Sequence, residues 1–145
     1  MASATPVQHR LNDPVTHHMR TDFAGIHMNQ TIGEALKAIR EKPPKGRIIY
    51  FYVVDDDNRL KGVLPTRRLL LNALEKPVSD VMVRDVITIP QAATVLDACE
   101  FFMFHRLLAF PVVDEEHRLL GIVDVEMYTD ELTDLDRREG NDELF

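Results

Sequence analysis

The sequence predicts an α+β fold of two pseudo-twofold-related subdomains, each strand–helix–strand–strand–helix, packed through their sheets. Three observations predict it. The chain repeats itself: Asp13-Pro14-Val15 to Met19 matches Lys76-Pro77-Val78 to Met82, and Asp22 matches Asp85, all 63 residues apart. Thr31-Ile32-Gly33-Glu34-Ala35 lines up with Thr94-Val95-Leu96-Asp97-Ala98 at the same offset, and the later matches fall at 59. Those are Phe51-Tyr52-Val53-Val54-Asp55 with Phe110-Pro111-Val112-Val113-Asp114, and Arg59 to Val63 with Arg118 to Ile122. Secondly, helical and strand periodicities alternate in the same order in both halves. Thirdly, 145 residues with 45% hydrophobic and 28% charged composition belong among globular domains large enough to bury a core without disulfide or metal staples.

The elements follow in order. Met1 to Asn12 lacks an apolar signal core and reads as a disordered leader, 1–12, before a first copy over 13–75 and a second over 76–136. Thr31 with Glu34 has capping-box spacing, and Ala35, Leu36 and Ile39 recur at helical spacing until Pro43-Pro44 stops the helix. The change of offset places a four-residue insertion in the loop Lys42 to Gly46. Ile48 to Val54 is a strand, Asp55 to Asn58 a turn, Leu60 to Leu64 a second strand, and Thr66 to Leu74 a second helix. In the second copy a short strand is clearest at Val86-Ile87-Thr88-Ile89. Thr94 with Asp97 caps a helix carrying Val95, Ala98, Cys99 and Phe102 on its apolar face. Phe110 to Val113 and Leu119 to Val123 form strands around the turn Asp114 to His117, and a last helix runs from Val125 to about Arg137.

Charge is distributed unevenly. The net charge is −7, but residues 114–145 hold 12 acids and 3 bases while residues 1–113 are net +2. An acidic C-terminal stretch argues against a nucleic-acid surface there and favours cation binding. The longest apolar run, Ile48 to Val54, is far short of a membrane helix. Cys99, the single cysteine, sits on an apolar helix face and suits a reducing compartment. The six histidines have no zinc spacing with it, and no phosphate-loop, dinucleotide or Gly-x-Ser-x-Gly fingerprint is present, so no residue stands out for catalysis.

The ordered repeat resembles a tandem cystathionine-β-synthase (CBS) domain pair over roughly residues 13–136. The most specific parts are Val81-Met82-Val83-Arg84-Asp85-Val86-Ile87-Thr88-Ile89 and Phe110-Pro111-Val112-Val113-Asp114 running into Gly121-Ile122-Val123. The resemblance implies a non-catalytic regulatory module that dimerises and takes an adenosyl ligand or metal ion in the cleft between copies. The acidic stretch Asp124 to Asp136 and the acidic tail 137–145 resemble the cytosolic CBS pair of MgtE-type magnesium transporters. That likeness implies a cytoplasmic regulator responding to Mg²⁺ or to ATP, ADP or AMP. It also implies that the tail links to a membrane transporter domain of the same chain. Two alternatives stay open, a nucleotide-binding module for another effector and a structural dimerisation module.

Nucleotide-binding members carry Gly-x-x-Thr/Ser-x-x-Asp after the last strand of each copy, and both copies here depart from it. Gly62-Val63-Leu64-Pro65-Thr66-Arg67-Arg68 has proline for hydroxyl and arginine for carboxylate; Gly121-Ile122-Val123-Asp124-Val125-Glu126-Met127 has carboxylate for hydroxyl and methionine for carboxylate. Thr66, Arg67 and Arg68 at a helix start favour an anion, or form a solvated face. By the resemblance, Asp85, Ile87, Thr88, Phe110, Pro111 and Asp124 would line the second copy's nucleotide cleft, with Asp22, Phe23, Tyr50 and Tyr52 at its counterpart. The other reading of these aromatics is core. Asp124, Glu126, Asp130 and Asp134 fall at or just after a strand-to-helix junction, the last three four residues apart. A divalent cation would relieve their repulsion, while the alternative is an exposed solvated face. The acidic turns at Asp55 and Asp114 read as backbone-driven turns rather than metal loops.

Overall fold

Two three-stranded sheets carry the fold of the computed structural model, which describes residues 10–23, 25–44 and 50–135. In the first copy β1 (Gly25–His27), α1 (Ile32–Glu41), β2 (Tyr50–Val54), β3 (Leu60–Pro65) and α2 (Thr66–Leu71) follow in order. After α3 (Val78–Val81), the second copy repeats them as β4 (Ile89–Pro90), α4 (Val95–His105), β5 (Ala109–Val113) and β6 (Leu119–Asp124). A 3₁₀ turn (Val125–Tyr128) then leads into helical residues 129–135. Each sheet has its first strand parallel to the central one and its third antiparallel.

Local chemistry explains these boundaries. Thr31 Oγ1 accepts from the Glu34 N–H at 3.1 Å while Glu34 accepts from the Thr31 N–H at 2.9 Å, and Thr94 with Asp97 repeats the arrangement at 3.2 and 2.9 Å. In the two turns the carboxylates serve the backbone. Asp55 accepts from the Asp57 and Arg59 N–H groups, Asp114 from those of Glu116 and Arg118, and Asn58 and His117 take left-handed φ of 64° and 66°.

The two copies exchange their lead-in segments. Pro14 bridges Thr94 and Arg20 bridges Ile122, so the segment ahead of β1 packs on the second copy, burying Leu11 and Val15 in that core. Reciprocally, Pro77 bridges Thr31 and Val83 bridges Val63, and Val78, Val81 and Met82 complete the first core. The crossing is close. A Cβ on Gly62 would stand 2.7 Å from the Val83 carbonyl oxygen, and one on Gly121 2.7 Å from that of Arg20, so both positions need glycine for backbone contact. Between the sheets lie Tyr52, Leu60, Val113, Leu119 and Ile122. The Leu60 N–H donates to the His117 carbonyl and the Leu119 N–H to that of Asn58, both at 2.9 Å, which is the pseudo-twofold written in hydrogen bonds.

Several sequence expectations are corrected. The strand expected at Val86–Ile89 is only Ile89–Pro90, because Val83 is already engaged with Val63 and the chain between them runs irregularly. The helix expected to reach Leu74 ends at Leu71: Asn72 turns extended and its side chain donates to the Arg68 carbonyl at 2.8 Å. The last helix opens as a 3₁₀ turn rather than as α-helix. Arg10 and Leu11, assigned to the leader, belong to the fold, since Leu11 is in the second core and Arg10 meets Glu131 at 3.1 Å. Residues 1–9 of the expected leader, the start of the strand at Ile48 and the acidic tail lie outside the described residues.

Candidate functional site

Register defines one candidate edge in each sheet. Gly25 pairs with Tyr52 and Tyr50 with Pro65, so the starts of β1 and β2 and the end of β3 share an edge. Ile89 pairs with Val112 and Ala109 with Asp124, which sets the equivalent edge of the second copy. At the β1 end of the first edge a cleft of about 640 Å³ opens between Thr21, Asp22, Phe23 and Gly25 on one side and Ala38, Ile39, Lys42 and Pro43-Pro44 on the other. Among the described residues it offers one carboxylate, one ammonium and an aromatic ring. Thr66, Arg67 and Arg68 stand at the β3 end of the same edge, all exposed, and none lines this cleft. Pro65 gives α2 no side-chain cap, and Arg68 donates to the Val81 carbonyl at 2.9 Å, tying α2 to the exchanged segment.

The second edge is built differently. Asp124 is 4% exposed; one carboxylate oxygen accepts from the Met127 N–H at 3.2 Å, and the other pairs with Arg20 at 2.9 Å. Arg20 Nε also meets Asp22 at 3.4 Å, so one guanidinium connects the second edge to a residue lining the first cleft. Burial opposes the Arg20 charge, but its hydrogen bonds to Asp124 and Asp22 outweigh that and hold its pKa above the ordinary arginine value.

Other expected residues are redistributed. Phe110 does not face a cleft: it is fully buried, with ring centroids 4.8 Å from Phe102 and 5.7 Å from Phe101, and Pro111 is buried beside it in β5. The same holds for Tyr52, buried between the sheets, where desolvation pushes its phenol pKa well up. Asp85 and Ile87 are exposed and Thr88 half-buried, outside any strand. Glu126 and Asp130 are exposed and Asp134 is half-buried, but Asp124 turns inward and so does not lead an open acidic face. Among the described residues no three His, Cys, Asp or Glu side chains are grouped to hold a metal. Cys99 is buried, and its thiol is pushed up to about 12, mainly by desolvation. Sequence reasoning missed Arg20, Lys42, Arg10 and Glu131. For Arg20 a signal existed: it aligns with Val83 across the repeat as Asp124 aligns with Pro65, so both members of the pair change together.

The sequence model of the CBS domain matches residues 15–75 and again 78–132. The chain belongs to the CBS domain family, with two copies. Among curated relatives it is 32% identical over 117 residues to the magnesium transporter MgtE of Enterococcus faecalis, covering 80% of this chain and 26% of that protein. It is 30% identical over 105 residues to the inosine-5′-monophosphate dehydrogenase of Methanocaldococcus jannaschii, covering 70% of this chain and 20% of the enzyme. The chain thus spans about a quarter or less of these relatives. Among solved structures, the cytosolic domain of the Mg²⁺ channel MgtE in complex with ATP superposes with a TM-score of 0.76 at 30% identity. That match covers 86% of this chain and 50% of the other. The α+β tandem expected from the repeat is therefore the observed fold. No helix among the described residues is long and apolar enough to cross a membrane.

Proposed function

We propose that this CBS pair is a non-catalytic, cytoplasmic regulatory module that responds to Mg²⁺, an adenine nucleotide or both, and controls an attached MgtE-type transporter domain. The observation that carries the reading is the cleft of about 640 Å³ at the first sheet edge, connected through Asp22 and Arg20 to Asp124 of the second copy. Phe23 offers an apolar face for a base and Lys42 a cation for phosphate, and the similar MgtE cytosolic domain was solved with ATP. Thr66 and Arg67 extend the same edge with further anion-favouring groups. Mg²⁺ would act at the last helical stretch, where Glu126, Asp130 and Asp134 contribute one or two carboxylates and water completes the shell. Copies over 13–75 and 76–136, with 137–145 linking to the membrane domain, are the organisation this implies. Exposed Leu70, Leu71, Leu74, Phe104 and Leu108 favour a homodimer.

Calorimetry with ATP, ADP and AMP, with and without Mg²⁺, tests the reading alongside thermal melting and limited proteolysis in Mg²⁺. Millimolar Mg²⁺ is expected to raise the melting temperature and slow cleavage, because a bound ion stabilises the folded state by linkage. Absence of both effects would remove the Mg²⁺ role. A second reading, a nucleotide module for another effector, is favoured by the likeness to the dehydrogenase. Tight binding of metal-free nucleotide that Arg68→Ala abolishes would select it.

A further inference from the structure

The exchanged lead-in segments stand at equivalent places on the two copies but reach them differently. The Ile32 N–H donates to the Lys76 carbonyl and the Val95 N–H to that of Asp13, both at 2.9 Å, so residues 74–76 meet the start of α1 as residues 11–13 meet the start of α4. On the first copy the chain arrives there directly from α2: Leu69 is buried, Asn72 turns extended, and Ala73 leads into the segment that packs back on the same core. On the second copy Tyr128 is the buried equivalent of Leu69, and Glu131 and Arg10 fall at the repeat positions of Asn72 and Ala73, at offsets of 59 and 63. The peptide link that closes the first copy is replaced by a contact between opposite ends of the described chain.

That contact is made by charge. Glu131 is buried and neither of its oxygens has a hydrogen-bond partner, so the Arg10 guanidinium at 3.1 Å is what offsets the desolvation of its carboxylate. The same guanidinium donates to the Met127 carbonyl at 3.2 Å and lies 5.8 Å over the Tyr128 ring. One side chain therefore grips three positions of the last helical stretch. Cys99 is fully buried in the core cluster that Leu11 and Tyr128 complete.

We propose that the Arg10–Glu131 pair is a clasp: it closes the second copy where the chain itself closes the first, and its opening releases residues 125–135 from the second core while both sheets stay paired. α2 has no such freedom, because the chain that leaves it packs at once on the same copy. The clasp joins the segment that enters the fold at Arg10 to the helix that leaves it after Glu131. Under the regulatory reading, on which this consequence alone rests, the released stretch is the signal passed to an attached domain.

Cys99, the single cysteine of the chain, is the probe. Its labelling by a thiol reagent under native conditions, followed together with residue-resolved amide exchange on the full chain, tests the clasp. Arg10→Gln is expected to speed both Cys99 labelling and exchange at residues 129–135 by about tenfold or more, with the amides of β2, β3, β5 and β6 unchanged. Arg10→Lys, which keeps a charge for Glu131, is expected to recover most of the protection. Acceleration spread equally over the strands overturns the proposal, as does a folded Gln variant that protects Cys99 like the wild type, or a Lys variant as open as the Gln one. Should Arg10→Gln fail to fold, the wild type in rising urea decides: residues 129–135 are expected to open at lower urea than β5 and β6, and opening only together with those strands overturns the clasp. The assay contains neither Mg²⁺ nor nucleotide, so failure of the ligand reading leaves its outcome unchanged.

Discussion

Pro65 and Asp124 end equivalent strands, and Val83 and Arg20 cross over to meet those strands through equivalent backbone bridges, but one pair is apolar and the other ionic. Around them the copies agree closely. At both Gly62 and Gly121 a Cβ would stand 2.7 Å from the crossing backbone, and Thr31 and Thr94 cap equivalent helices. The difference teaches where the fold makes demands: the crossing needs backbone hydrogen bonds and a glycine, and it leaves the corner side chain open to specialise. The first copy keeps an apolar corner, and the second holds its corner with an ion pair.

The largest way to break the comparison lies in the cores. Phe110 and Phe51 are repeat equivalents, 0% and 5% exposed. Phe110→Ala is expected to destabilise by about 3–5 kcal/mol. The loss should exceed that of Phe51→Ala, because Phe110 also gives up the tilted edge contacts with Phe101 and Phe102, worth roughly 0.5–1.5 kcal/mol each. Urea unfolding of both variants measures it; equal losses would mean that the second core draws no extra stability from its ring cluster.

Next in size is the corner itself. Arg20→Ala leaves the buried Asp124 carboxylate without its guanidinium and is expected to lose about 1.5–3 kcal/mol. Val83→Ala at the equivalent, half-buried position should lose roughly 1 kcal/mol. The sharper experiment converts one copy into the other. Arg20→Val with Asp124→Pro rebuilds the first copy's corner in the second, and the double variant should be less destabilised than Arg20→Val alone, since removing both charges avoids stranding one. A double variant at the sum of the two singles would show that the residues act independently.

What the sequence disclosed follows the range of the interactions involved. Capping boxes, turn carboxylates and the repeat are written within a few residues, so the order of elements and the pairing of halves were legible. The exchange of lead-in segments was not. Asp13-Pro14-Val15 announces the first copy by its position, yet its hydrogen bonds run to Ala93 and Val95, about 80 residues away. For the same reason Asp124 read as the head of an acidic face. Its partner, Arg20, is 104 residues earlier, and spacing along one helix carries no sign of it. Phe110 read as a cleft wall because a strand pattern does not say which face a ring takes, whereas Phe101 and Phe102 on α4 decide it. Glu131 gave no signal at all: in an acidic helix it looks like its neighbours, and only the structure places it 1% exposed against Arg10.

The smallest expected effects concern the caps, where the copies should match. Thr31→Ala and Thr94→Ala each remove a side-chain acceptor from a helix start and are expected to cost about 1 kcal/mol. In the first copy the caps also have a pH signature. The Thr31 backbone N–H, with the Thr31 hydroxyl, holds the Glu34 carboxyl below its ordinary pKa, and the Arg59 N–H, helped by that of Asp57, does the same for Asp55 against its desolvation. A carboxylate whose folded pKa is depressed stabilises the native state above its unfolded value, and that stability is lost as pH falls through the folded one. Acidification below about pH 4 should therefore weaken the wild type progressively. Glu34→Gln and Asp55→Asn should flatten that slope while starting from lower stability at neutral pH. Wild-type and variant curves that stay parallel through the acid limb would show that these two carboxylates do not contribute to it.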